Sequence, residues 1–265
     1  MKGAFMRKSI SILLTAFIAA LPLLAVPVYS EPEAPGVFTS SVKVGLVSNM
    51  TLDNAMTSPL WDKVPAYSFM HYVTELYHIN LAPTEGAKVR YLANDSTFFV
   101  RVDMQDSDVM TAATQDQAHH YLEGDVLEVF VKPLEHAYYW EIYGTPNKHY
   151  TRFYFPSKGT LGLPSGFGPT DVKIGVDSKV TGTFNNHSDR DKGWTVIIAI
   201  PKTELEKNGH KFAPGTKWTV LAARYNYNCY MDKHELSSYP QITGGYHSTN
   251  YYANIEFINI NMEKK

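Results

Sequence analysis

The 265-residue chain carries 24 Lys and Arg against 26 Asp and Glu, a formal charge of −2 with histidine neutral, and one cysteine. That balance lacks the basic face a nucleic-acid ligand requires, and a single cysteine excludes an intrachain disulfide. The length allows one large all-β domain with its own core.

Residues 1–30 read as a cleavable signal peptide. Lys2, Arg7 and Lys8 form a positive start, Ile10–Leu21 is uncharged and almost wholly apolar, and Val28-Tyr29-Ser30 offers branched and small residues at positions −3 and −1 of a cleavage site. Pro22 and Pro27 would interrupt a helix of the roughly 20 apolar residues needed to cross a bilayer, so no integral membrane span is expected. No cysteine lies near Ser30, which speaks against a lipid anchor. Cleavage leaves 21 basic against 26 acidic residues, a net charge of −5. The expected location is secreted or periplasmic.

Residues 31–41 (EPEAPGVFTSS) are rich in Pro, Gly and Ser and read as a flexible lead-in to a single domain over residues 42–265. From there period-two alternation dominates. Thr97–Met104 sets Phe98, Val100 and Val102 against Phe99, Arg101 and Asp103. Val126–Val131 is an apolar run with Glu128 embedded, Tyr138–Tyr143 is aromatic-rich, and His149–Phe155 alternates. Val172–Val176 and Val180–Phe184 read as a hairpin. Trp194–Ile200, Trp218–Tyr225 and Ile255–Ile260 complete the strand set. Pro201–Lys207, closed by Asn208-Gly209, reads as a helix of one or two turns. Short strands separated by turn residues predict a two-sheet antiparallel β-sandwich, jelly-roll or immunoglobulin-like, with one short helix.

The chain has no GxSxG, GxxxxGK[ST] or HExxH. His119 and His120, if on one strand, point to opposite faces. Asp125 and Glu128 do the same by their spacing and so form no glycosidase pair. There is thus no positive case for catalysis. Asp103, Asp106 and Asp108 make an acidic loop that either caps turns or holds Ca²⁺. Cys229, in the strand-like run Arg224–Tyr230, is expected to be buried. The unusual feature is the aromatic load of 18 Tyr, 13 Phe and 4 Trp, because flat rings with polar tips suit stacking on sugars.

The order of segments resembles the family 9 carbohydrate-binding modules and the wider sandwich superfamily of DOMON-type sugar- and haem-binding domains. The resemblance is carried by Leu60-Trp61, Val89–Met104, Asp106-Ser107-Asp108-Val109, Gly124–Val131 (GDVLEVFV), Tyr139–Ile142 (YWEI), Asp191–Pro201 (DKGWTVIIAIP), Gly215–Arg224 (GTKWTVLAAR), Ser237–Pro240 and Tyr246-His247, over residues 50–258. It implies a sandwich with a sugar pocket at one end, often with structural calcium, here assigned to Asp106 and Asp108. It implies that Glu128 accepts sugar hydroxyls and that Arg224 donates a fork to them. Tyr239 stands at one clamp ring, and Tyr121, beside Leu122, near the other. Trp140 and His247 are further candidates, whereas Trp61 and Trp194 are assigned to the core. The alternative role for Glu128 is an ion pair with Arg101 or Arg224. The expected function is non-catalytic carbohydrate binding, in polysaccharide breakdown or as an accessory of a glycoside hydrolase system. The competing function is haem-based electron transfer through ligands drawn from Met70, His71, His78, Met104 and Met110.

Overall fold

The computed structural model describes residues 40–72, 82–157 and 173–260. The proposed signal peptide, residues 31–39 of the lead-in and His78 lie outside the described residues.

The chain opens with β1 (Ser41–Leu46), α1 (Leu52–Ala55) and a 3₁₀ turn at Pro59–Lys63. The strands that follow are β2 (Tyr67–Ser68), β3 (Met70–His71), β4 (Ala87–Ala93), β5 (Thr97–Met104), β6 (Val126–Pro133), β7 (Tyr139–Gly144), β8 (Tyr150–Phe155), β9 (Gly175–Thr181) and β10 (Gly193–Pro201). After α2 (Lys202–Leu205) come β11 (Trp218–Asn226), β12 (Glu235–Tyr239) and β13 (Ala253–Asn259). One expectation is corrected. Of the hairpin expected over 172–184, Val172 lies outside the described residues, and the rest holds one strand, β9, antiparallel to β10 across Thr181–Gly175. Among the described residues there are two short α-helices. The second falls inside the expected 201–207. The first is a single turn, too short to show a 3.6-residue period, and its start is fixed by the Thr51 N–H donating to Asn54 Oδ1 at 3.0 Å.

Hydrogen bonding runs through the strands in the order β8-β7-β6-β11-β13-β1-β4-β5-β10-β9. The ladders are antiparallel except where β1 pairs in parallel with both β13 and β4. The result is a β-sandwich whose two layers are joined through β13 and β1. Alternation then sorts each strand onto two faces. Leu127, Val129 and Val131 of β6, Trp140 and Ile142 of β7, and Val220 and Ala222 of β11 meet Val100, Val102, Val196 and Ile198 of the opposite layer in the main core. Trp194 joins that core, 2 % exposed. On the far side of the β4-β5-β10 layer, Leu92, Phe99 and Ile197 are covered by Trp61, Ala55 and Met50. There the Trp61 indole donates to the Ala55 carbonyl at 2.7 Å. Both tryptophans assigned to the core from sequence are therefore in cores.

Gly193 shows how tightly paired strands constrain the chain. Its φ is +132°, and a Cβ there would collide with the Met104 carbonyl oxygen on β5. Gly193→Ala is expected to cost more than about 1 kcal/mol of stability, read as a lower urea midpoint with an unchanged slope.

Candidate functional site

The other face of the β8-β7-β6-β11 layer carries the residues of opposite parity: Val126, Glu128 and Phe130, then Tyr139, Glu141 and Tyr143, then Phe153 and Phe155, then Leu221, Ala223 and Tyr225. Most of these rings and aliphatic groups form a second apolar cluster under Tyr246, Tyr252 and Ile242. Part of this face stays open as a pocket of about 380 Å³. Register sets its floor. Glu128 lies directly opposite Tyr143, while Glu141 lies opposite Phe130 on one side and Phe153 on the other. The two glutamates are therefore diagonal neighbours on adjacent strands, close enough for their side chains to interact.

Two loops raise the walls. The 3₁₀ turn at His120–Leu122 brings His119 and Tyr121 to the rim, with the Tyr121 carbonyl accepting from the Tyr227 hydroxyl at 2.7 Å. The segment after β12 turns through Gly244 and Gly245, both at positive φ, and delivers Tyr246 and His247. It is fastened by the Tyr246 hydroxyl, which donates to the carbonyls of Arg224 (3.1 Å) and Ser237 (3.2 Å). The Tyr252 hydroxyl donates to the Tyr246 carbonyl at 2.7 Å. His247 Nδ1 lies 2.8 Å from the Tyr139 hydroxyl and its Nε2 3.8 Å from Glu141. Tyr121, Tyr225, Phe153 and Phe155 supply the aromatic lining.

Charge distinguishes this pocket. Glu128 and Glu141 are 2 % and 5 % exposed, and among the described residues that line the pocket there is no Lys or Arg. Burial, joined by the charge of Glu141, pushes the Glu128 carboxyl well above the usual carboxylate range. Burial raises Glu141 to about 7 despite the hydrogen bond donated by Tyr143 at 2.5 Å. The same burial holds the His247 imidazole below its ordinary value. Near neutral pH the floor thus offers carboxyls that can both donate and accept, facing edges and faces of aromatic rings.

Of the site residues expected from sequence, the pocket brings together Tyr121, Glu128 and His247. It does not include the other three. Trp140 points from β7 into the main core, fully buried, with its indole N–H donating to Glu204 at 2.9 Å. Arg224 points inward from β11, on the face opposite Glu128. Its guanidinium is buried against Asp106 (2.8 Å), Asn226 (2.7 Å) and the Gln105 carbonyl (2.8 Å). Tyr239 packs on Tyr67, ring centres 4.9 Å apart, at the edge of the main core. Glu128 pairs with neither arginine proposed for it, since Arg101 forks onto Asp103 at 2.7 Å. Glu141, Tyr143 and Phe153 are site residues that sequence reasoning misses, while Tyr225 belongs to the aromatic run Tyr225–Tyr230. Glu141 lies within the YWEI run, and parity alone separates it from Trp140.

Asp106 does not fit a calcium site. Its carboxylate is taken by Arg224, the Trp194 indole (3.2 Å) and the Asp108 N–H (3.0 Å), so a guanidinium stands where a cation would. Asp108 bonds His187 instead, at 2.8 Å. Cys229 is exposed, not buried as expected, because it follows β11 rather than lying within it. Of the haem-ligand candidates, Met104 packs in the main core and His71 Nδ1 lies 2.6 Å from the Tyr72 carbonyl. A larger hollow of about 610 Å³ lies beside Phe69, Lys88, Asp103 and Thr195, but it presents neither paired acids nor a ring of aromatics.

Three solved structures share this architecture. A protein of Bacteroides uniformis, described as a candidate carbohydrate-binding protein, superposes with a TM-score of 0.59 at 13% identity, covering 83% of this chain and all of its own. A family 9 carbohydrate-binding module of Caldicellulosiruptor kristjanssonii in complex with cellotriose gives 0.56 at 12%, over 84% and 95% of the two chains. A family 9 module of the same organism in complex with glucose gives 0.55 at 12%, over 84% and 100%. The fold is that of the family 9 carbohydrate-binding modules. No protein-family model and no curated protein sequence matches the chain, so the relation is visible in the fold of the sandwich and not in overall sequence.

The acid pair carries a pH signature. A carboxyl raised from 4.5 to about 7 on folding stabilises the native state fully below pH 4.5, and that stability is lost as pH rises to about 7. Glu128 acts with the same sign. Glu141→Gln is expected to flatten the fall in melting temperature between about pH 5 and 8, and the double variant with Glu128→Gln to flatten it further. Scanning calorimetry at stepped pH reads both.

Proposed function

We propose that this protein is an exported, non-catalytic carbohydrate-binding protein, and that the pocket floored by Glu128 and Glu141 receives the end of a saccharide. The observation that carries the reading is the coincidence of two desolvated carboxyls with a wall of Tyr and Phe rings. Sugars present just this combination of apolar ring faces and dense hydroxyls, so rings stack while carboxyls bind hydroxyl hydrogens. A volume of about 380 Å³ is at the small end of ligand pockets, roughly 300–1,000 Å³, and favours a terminal unit over a long chain.

The glucose and cellotriose held by the family 9 modules of the same fold support a neutral or uncharged saccharide here. Tyr121 and Tyr225 serve as the stacking platforms and Glu128 as the main hydroxyl acceptor, with His247 and Tyr143 orienting Glu141. Among the described residues no helix is long and apolar enough to cross a membrane. The signal-peptide pattern of residues 1–30 supports a secreted or periplasmic location, where the protein would hold polysaccharide fragments for breakdown by other proteins.

Screening the purified protein on a glycan array, then titrating the hits calorimetrically, tests this reading. Tyr121→Ala and Tyr225→Ala are each expected to weaken binding about threefold to tenfold, and Glu128→Gln by at least about fivefold. Tyr239→Phe leaves affinity unchanged. Unaltered binding in all three pocket variants would move the site elsewhere, and hydrolysis of a bound oligosaccharide would overturn the non-catalytic assignment.

A further inference from the structure

Three loops meet where β5, β9 and β11 end. Asp108 follows β5, His187 lies between β9 and β10, and Cys229 follows β11. A carboxylate oxygen of Asp108, a ring nitrogen of His187 and the Sγ of Cys229 all lie within 4.8 Å of one another. The geometry points to a binding site for a borderline-soft divalent cation, with Zn²⁺ as the type, held by these three side chains and open to water at a fourth position.

The donor set decides the class of ion. Calcium takes six to eight oxygens and has no use for a thiolate or an imidazole. Zinc binds Cys sulfur, His nitrogen and carboxylate oxygen in one tetrahedron. Bond lengths of about 2.0–2.3 Å place such ligands roughly 3.3–3.8 Å apart, so closing the present spacing needs only small side-chain movements. Oxygen, nitrogen and sulfur from three separate loops are an unusual convergence in a chain with one cysteine.

The loops are already held for it. Asp108 is fully buried, and its carboxylate accepts from the Cys229 N–H at 2.8 Å while lying 2.8 Å from His187 Nδ1. Its own N–H is fixed on Asp106 at 3.0 Å, and Asp106 is fixed by Arg224. Next to Cys229, the Tyr230 hydroxyl donates to the Asp189 carbonyl (2.7 Å) and reaches that of His187 (3.3 Å). That residue therefore clasps the loop that carries the histidine. Arg190 stacks over the same ring at 4.0 Å. His187 and Cys229 face solvent, which gives an ion its path of entry. Binding releases the thiol proton and any proton shared between His187 and Asp108 to solvent, with no change of oxidation state.

Co²⁺ added to the reduced, tag-free protein reports the site directly. The expected result is saturation at one equivalent, with a thiolate-to-cobalt charge-transfer band and tetrahedral visible bands that Zn²⁺ bleaches and excess Ca²⁺ leaves intact. Cys229→Ser should abolish the charge-transfer band. His187→Ala should weaken cobalt binding about tenfold or more, since even outer-shell partners of a metal are worth about 10–100-fold. Both replaced residues are exposed, and circular dichroism of each variant checks that the sandwich is intact. Absence of the band in the wild type would overturn the proposal. So would displacement by Ca²⁺, or a band of full strength in His187→Ala.

Discussion

Much of this molecule hangs on the buried ion pair between Arg224 and Asp106. Neither side chain has any exposure, and the nitrogen-to-oxygen distance is 2.8 Å. Desolvating two charges costs several kcal/mol per ion before their attraction returns it, so such a pair needs further hydrogen bonds. Here Asn226, the Gln105 carbonyl and the Trp194 indole supply them, while the Arg224 Nε–H is buried without a partner among the described residues. Burial, joined by the charge of Asp106, drives the nearby Asp125 carboxyl well upward. The pair also ties β11 of one layer to the end of β5 in the other, where backbone ladders alone do not reach. The Arg224 carbonyl receives Tyr246 on one side of the strand, and Asp106 receives the Asp108 N–H on the other. The proposed sugar pocket and the proposed metal cluster are both one bond away from it.

The two faces of the β6-β7-β11 layer divide labour by parity. Inward positions are aliphatic or indole and bury area against the opposite layer. Outward positions repeat Tyr, Phe and Glu, and bury only as far as the loops above them allow. The same alternation that makes the core therefore also makes the pocket, with no separate element to build it. Glu128 and Glu141 set this face apart from the apolar cores, because they leave two desolvated carboxyls on its floor.

The sandwich was readable from sequence because alternation in Thr97–Met104, Val126–Val131 and Trp194–Ile200 is a local property, and it persists in β5, β6 and β10. Trp61 and Trp194, assigned to the core, both lie in cores, although Trp61 sits in a 3₁₀ turn and not on an alternating strand. Cross-strand register is not local, and it decides the site. Parity within Tyr138–Tyr143 shows that Trp140 and Glu141 face opposite ways. Only pairing with β6 reveals that Glu141, not Trp140, shares a face with Glu128. The donor role that the resemblance implies for Arg224 fails for the same reason, since its register opposite Leu127 turns it inward onto Asp106. Cys229 looked buried because its neighbours look like a strand. In fact β11 ends at Asn226, and the aromatic run continues as a loop held by Asp125 and Asp108.

The position of β13 has a bearing on how the chain folds. The last described strand lies between β1, the first, and β11, and so carries hydrogen bonding from one layer to the other. The segment Tyr67–His71 makes a second crossing, with β2 on β4 and β3 on β12. Both crossings pair residues distant in sequence, Ser41 with Asn254 and His71 with Ser237. Loop-closure entropy must be met before such contacts stabilise anything, so slow folding is the expected consequence.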